Sequence, residues 1–216
     1  MVILFDLDGT LIDSTEAILE SFHHSFDYFG LEHPSDKEIT ALIGHPLDVM
    51  YARLGVQKDQ VEQIVQIYKQ HYREISTQKT KLLDGAYDAV LEAKEFATLG
   101  IVTTKTGRYS KILMEHFGLM HYFDVLIGRE DVIKPKPHKE PIVQALHKLG
   151  EPNPKDVWMI GDTHMDLLCA SSAGVGSIAV LSGYESQEVL QNYTNIVLKD
   201  ATEAVQYLKS EKLAHS

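Results

Sequence analysis

Six short, mostly apolar runs, each giving way to a polar residue, constrain this chain more than any other feature. They fall at residues 2–5, 100–103, 123–128, 157–161, 177–181 and 195–198. The first, Val2-Ile3-Leu4-Phe5, carries no polar side chain and breaks off at Asp6. A run without alternation is what a strand buried on both faces of a parallel sheet requires. Helical patterns lie between the later runs: 86–96 with Val90, Leu91 and Ala93, 110–117 with Ile112, Leu113 and Phe117, and 140–149 with Ile142, Val143, Leu146 and Leu149. Gly118 and Gly150 follow the last two as stop signals. Strand and helix alternating from about residue 86 onward predict right-handed crossovers and a doubly wound, mostly parallel, Rossmann-like α/β sheet.

Residues 14–81 depart from that rhythm and read as helix throughout, over 17–29, 36–43, 46–54 and 58–74. A helical block placed straight after the first strand is expected to form a small inserted domain. The core then comprises residues 1–13 and 82–216, with hinges near Asp13-Ser14 and Leu82-Leu83-Asp84-Gly85.

A formal charge of −11 argues against nucleic acid or an anionic membrane as partner, since both need a basic face. A small anionic substrate stays open, because a bound divalent cation and one or two basic side chains reverse the local field. Cys169 is the single cysteine, so an intrachain disulfide is excluded, and its apolar neighbours suggest a buried, inert thiol. Met1 to Asp6 lacks the basic start and apolar length of a signal peptide, and no stretch approaches the roughly 18 apolar residues of a membrane helix. A cytoplasmic location is the expectation.

In an open parallel sheet, ligands bind beyond the carboxyl ends of the strands, where strand order reverses. The residues found there are Asp6-Leu7-Asp8-Gly9-Thr10, Thr103-Thr104-Lys105, Gly128-Arg129-Glu130-Asp131 and Gly161-Asp162-Thr163-His164-Met165-Asp166. Any one of these acids could simply cap a turn or helix. Gathered in one cleft they would repel, and some would protonate unless a cation held them. Oxygen ligands without histidine select a hard ion such as Mg²⁺. A carboxylate nucleophile, a neighbouring carboxyl to move a proton, a hydroxyl, a lysine and Mg²⁺ together suit phosphoryl transfer.

Asp6-Leu7-Asp8-Gly9-Thr10-Leu11, Thr103, Lys136 and Gly161-Asp162-x-x-x-Asp166 resemble, in order and spacing, the four motifs of the haloacid dehalogenase-like hydrolase superfamily. The resemblance spans essentially the whole chain, and the helical insertion is similar to that superfamily's helical cap. Gly30-Leu31, Ile43-Gly44-His45-Pro46-Leu47 and Lys136-Pro137-His138 look most like the phosphoglycolate phosphatase group. The resemblance implies that Asp6 attacks phosphorus, while Asp8 protonates the leaving alkoxide and then activates water. It implies that Asp6, the Asp8 carbonyl and Asp162 hold Mg²⁺, with Asp166 in support. Thr103 and the next N–H would bind phosphate oxygens, Lys136 would neutralise them, and Thr104, Gly44 and His45 would face the substrate.

The third motif admits two registers. Lys134-Pro135-Lys136-Pro137 satisfies the usual Lys-Pro-x-Pro pattern, whereas spacing from Asp131 and to Pro141 favours Lys136. The second motif reads Thr-Thr-Lys where the phosphoglycolate group usually has Thr-Asn-Lys, and Lys105 is expected to be solvated or paired locally. The implied activity is hydrolysis of a small phosphorylated metabolite, phosphoglycolate first, by a monomer or homodimer. Pyrophosphate, a nucleotide or a sugar-phosphate mutase reaction are the alternatives. Of the non-enzyme alternatives, a phosphorylatable receiver is far shorter and has no cap, and a catalytically dead binding module is at odds with the intact motifs; a dehalogenase normally lacks the second acid, Asp8.

Overall fold

In the computed structural model, residues 1–214 are described. The chain enters through β1 (Val2–Phe5), followed by a two-residue strand, β2 (Ile12–Asp13). Four helices come next: α1 (Thr15–Phe29), α2 (Asp36–Thr40), α3 (Leu47–Arg53) and α4 (Val61–Lys79). The chain returns through β3 (Lys81–Leu82), which pairs antiparallel with β2. The expected hinge segments therefore meet as a two-stranded ribbon, and α4 runs five residues beyond the expected end at 74.

The remainder alternates: α5 (Ala86–Lys94), β4 (Thr98–Val102), α6 (Gly107–His116), β5 (Val125–Ile127), α7 (Glu140–Lys148), β6 (Val157–Gly161), α8 (His164–Ala173), β7 (Gly176–Val180), α9 (Gln187–Leu190), β8 (Val197–Leu198) and α10 (Ala201–Ala214). The main sheet is parallel, in the order β5-β4-β1-β6-β7-β8. Each of the six expected runs overlaps a strand, though β4 and β7 begin before their runs, and the doubly wound α/β class holds.

Each sheet face has its own apolar layer. Ile3 and Phe5 of β1 face one layer with Ala89 and Val90 of α5 and Val205 and Leu208 of α10. Val2 and Leu4 face the opposite layer with Ile142 and Leu146 of α7 and Cys169 and Ala170 of α8. This is why β1 shows no alternation: both faces are covered. Burying each Val, Leu, Ile or Phe side chain of these layers contributes about 1.5–3 kcal/mol. The helices α1 to α4 pack around a third cluster, with Phe22 against Tyr51 and Tyr68 at ring distances of 4.6 and 5.0 Å.

The order of the strands positions the site. From β1 the chain moves outward through β4 and β5, then crosses to β6 on the other side of β1. Phe5 is level with both Ile101 and Ile160, so β1, β4 and β6 end together. The Asp6 N–H donates to the Ile160 carbonyl at 2.9 Å and extends that alignment one residue further.

Candidate active site

Asp6, Asp162, Asp166 and Lys136 converge at the carboxyl end of the sheet, each at most 5% exposed. The Lys136 ammonium donates to Asp6 Oδ1 at 2.8 Å, to Asp166 Oδ1 at 2.5 Å and to the Val102 carbonyl at 2.8 Å. All three of its protons are therefore placed. Lys134 is exposed, so between the two registers the structure brings Lys136 to Asp6.

Burial pushes the Asp6 carboxyl up to about 7, with Lys136 opposing the rise and Asp166 adding to it. Asp162 is driven well above the usual carboxylate range, first by burial and then by Asp166 and Asp6. Burial alone would lower Lys136, but Asp166 and Asp6 outweigh it and hold the ammonium above its ordinary value. One buried cation thus faces three buried carboxylates, an arrangement that favours a further positive charge.

Oxygens of Asp6, Asp162 and Asp166 lie within 4.8 Å of one another. An all-oxygen set suits Mg²⁺, so these residues fit a hard divalent ion. The Asp166 oxygens are already engaged: Oδ1 by Lys136, and Oδ2 by the Thr163 N–H and hydroxyl at 3.1 and 2.7 Å. Asp166 therefore both closes the capping box of α8 and anchors Lys136. The helix-cap reading of this residue holds, and the same carboxylate also reaches Lys136.

Glycine backbone shapes the seat of Asp162. Gly9 has φ +82°, and a Cβ there would come within 2.3 Å of Asp162 Oδ2. A Cβ on Gly183 would come within 1.9 Å of the same oxygen, which instead accepts from the Tyr184 N–H at 2.9 Å. Only backbone without a side chain lets both loops close on this carboxylate.

Asp8 stands apart from the acidic trio. Ser14 donates to its Oδ1, and the Lys105 ammonium sits 3.2 Å from its Oδ2. Lys105 also donates to the Tyr72 hydroxyl at 3.0 Å and lies over the Tyr72 ring. Its side chain is only 9% exposed, so it is neither solvated nor locally paired, which corrects the expectation from sequence. Burial would lower this ammonium, but Asp8 and Tyr72 hold it higher. Sequence reasoning gave no site role to Ser14 or Tyr72 and set Lys105 aside. The only signal was the position of Lys105 two residues after Thr103.

Thr103 is buried beside the trio, and its hydroxyl accepts from the Lys105 N–H at 3.1 Å. Thr104 borders a cavity next to Asp8, but its hydroxyl donates to the Gly44 carbonyl at 2.8 Å. Gly44, φ +105°, and His45 line the same cavity. Arg53 donates to His45 Nε2 at 2.8 Å, which places the ring proton on Nδ1. Burial, then Arg53 and His164, lower the tendency of His45 to protonate.

The sequence profile of haloacid dehalogenase-like hydrolases matches residues 3–180. "Pyrophosphatase PpaX" of Bacillus mycoides is 31% identical over 192 residues, covering 88% of either chain. The protein of the same name from Halalkalibacterium halodurans is 32% identical over 192 residues, again covering 88% of each. A solved haloacid dehalogenase-like family hydrolase from Streptococcus pneumoniae superimposes with a TM-score of 0.86 at 31% identity, covering 95% of this chain and 97% of that one. Motif order, fold and profile agree, and the chain belongs to the haloacid dehalogenase-like hydrolase family.

Proposed function

We propose that this chain is a divalent-cation-dependent phosphatase that hydrolyses phosphate monoesters through an aspartyl-phosphate on Asp6. The observation that carries this reading is the buried arrangement of Lys136 between Asp6 and Asp166, next to Asp162. Lys136 engages one Asp6 oxygen, and among the described residues no donor reaches the other, which is left for attack.

Asp6, Asp162 and the Asp8 carbonyl would hold Mg²⁺; no N–H of the described residues donates to that carbonyl. When bound, the ion supplies positive charge to the phosphate oxygens. The free Asp6 oxygen attacks phosphorus, and the bond from phosphorus to the leaving oxygen breaks. Asp8 gives that oxygen its proton, then takes one from the water that cleaves the aspartyl-phosphate. Inorganic phosphate and the restored Asp6 carboxylate result. Ser14 and Lys105 fix the Asp8 carboxyl, and Lys136 offsets charge at Asp6 and the phosphate. The Thr103 hydroxyl proton and the Thr104 N–H remain available to phosphate oxygens.

In this reading residues 14–81 act as a cap over the site, and Gly44 and His45 border the leaving group. Phosphoglycolate is the substrate favoured by motif resemblance. Inorganic pyrophosphate is the second reading, carried by the names of the two relatives. Phosphate release from a panel of esters and pyrophosphate at fixed Mg²⁺ tests both. Asp6→Asn and EDTA should each abolish release, and turnover surviving both would refute the proposal.

A further inference from the structure

A cavity of about 530 Å³ opens beside Asp8 and Lys105, between α1, α3, α4 and the start of α6. Its inner wall is apolar and buried: Ile18, Ile43, Met50, Val65, Tyr68 and Tyr72 are each at most 9% exposed. Lys105, the cation next to Asp8, is already paired with that carboxylate. The other charged lining residues balance in sign, Lys58, Lys69 and Arg129 against Asp48, Glu62 and Glu130. Four of these, Asp48, Lys58, Glu62 and Glu130, are exposed at the rim.

Resting on the phosphatase reading but departing from its motif-favoured substrate, we infer that the cavity receives the body of the leaving alcohol, and that the substrate is a phosphate ester of an apolar alcohol rather than pyrophosphate or phosphoglycolate, whose leaving groups carry charge. A second phosphate here would lose its water against an apolar wall whose most deeply buried cation, Lys105, is held by Asp8, leaving only the half-buried Lys69 and Arg129 to receive it. An alkyl or aryl body gains by the same burial. The space is that of an organic ligand site, far larger than one phosphate group needs. Tyr68 supplies a polar handle: its hydroxyl makes no hydrogen bond among the described residues, and its ring lines the cavity near Asp8.

Straight-chain alkyl phosphates provide the test, because methyl to hexyl esters keep similar leaving-group basicity. With wild-type protein, kcat/KM should rise about fourfold per added methylene. Pyrophosphate should fall below the longer esters. Val65→Phe, which narrows the cavity, should depress turnover of the hexyl ester more than that of methyl phosphate and so flatten the series. A flat series, or pyrophosphate as the best substrate, overturns the inference. If that turnover is still lost in Asp6→Asn, the phosphatase reading survives. Turnover that persists in Asp6→Asn overturns the phosphatase reading and this inference with it.

Discussion

Lys136 holds two buried carboxylates with one ammonium, so its removal has two consequences. Lys136→Ala should cut kcat by on the order of a hundredfold or more, as expected for lost transition-state charge stabilisation. It should also destabilise the fold by about 3–5 kcal/mol, the usual cost of leaving buried charge unpaired. Exposed Lys134→Ala should do neither. Phosphate-release kinetics and urea unfolding on both variants check this, and a more damaging Lys134→Ala would reverse the assignment. Asp6 predicts a pH dependence. Its folded value, about 7, lies above its ordinary 3.8, so the folded state binds this proton more tightly. The stability it contributes is complete below about pH 4 and is lost as pH rises through about 7. In metal-free protein, urea midpoints for wild type should therefore fall relative to Asp6→Asn across that window. Saturating Mg²⁺ should reduce the difference, because binding to the folded state opposes the loss. Parallel profiles without metal would contradict the burial-driven shift.

At the scale of elements, legibility followed the strength of local patterning. β1 was readable because four apolar residues end in an acid, and the covered faces of the sheet explain that pattern. β2 and β3 are two residues each, too short for any period, and they exist only because distant segments meet. α10 carries Ala201, Ala204, Val205 and Leu208 at helical spacing, but small alanines give little contrast against its polar neighbours. Lys105 was misread because Asp8 and Tyr72 are brought to it by other elements. The loop after β7 is a further case: Gly183 and Tyr184 close on Asp162, although nothing near them in sequence signals a site. Gly183→Ala should displace the Asp162 carboxylate and weaken Mg²⁺ affinity about 10- to 100-fold. Isothermal titration with Mg²⁺ measures this, and an unchanged affinity would remove that loop from the account.

For the whole molecule, the proposed mechanism assigns the chemistry to the sheet and the border of the leaving group to the helical block. Polar links between them include Ser14 to Asp8, Thr104 to the Gly44 carbonyl, Thr15 to the Tyr184 hydroxyl at 3.0 Å, and Lys105 to Tyr72. His45→Ala, which removes no hydrogen bond to the acidic trio, should reorder substrates by kcat/KM more than it lowers their common rate. Identical losses on every ester would assign His45 a structural role only. The central claim is that Asp6 becomes phosphorylated during turnover. Rapid-quench kinetics with ³²P-labelled substrate, followed by peptide mapping of the trapped protein, tests it most directly. The account predicts transient label on Asp6, absent in Asp6→Asn and long-lived when Asp8→Asn slows hydrolysis. Label on another residue, or full turnover with no labelled protein at any time, would contradict it.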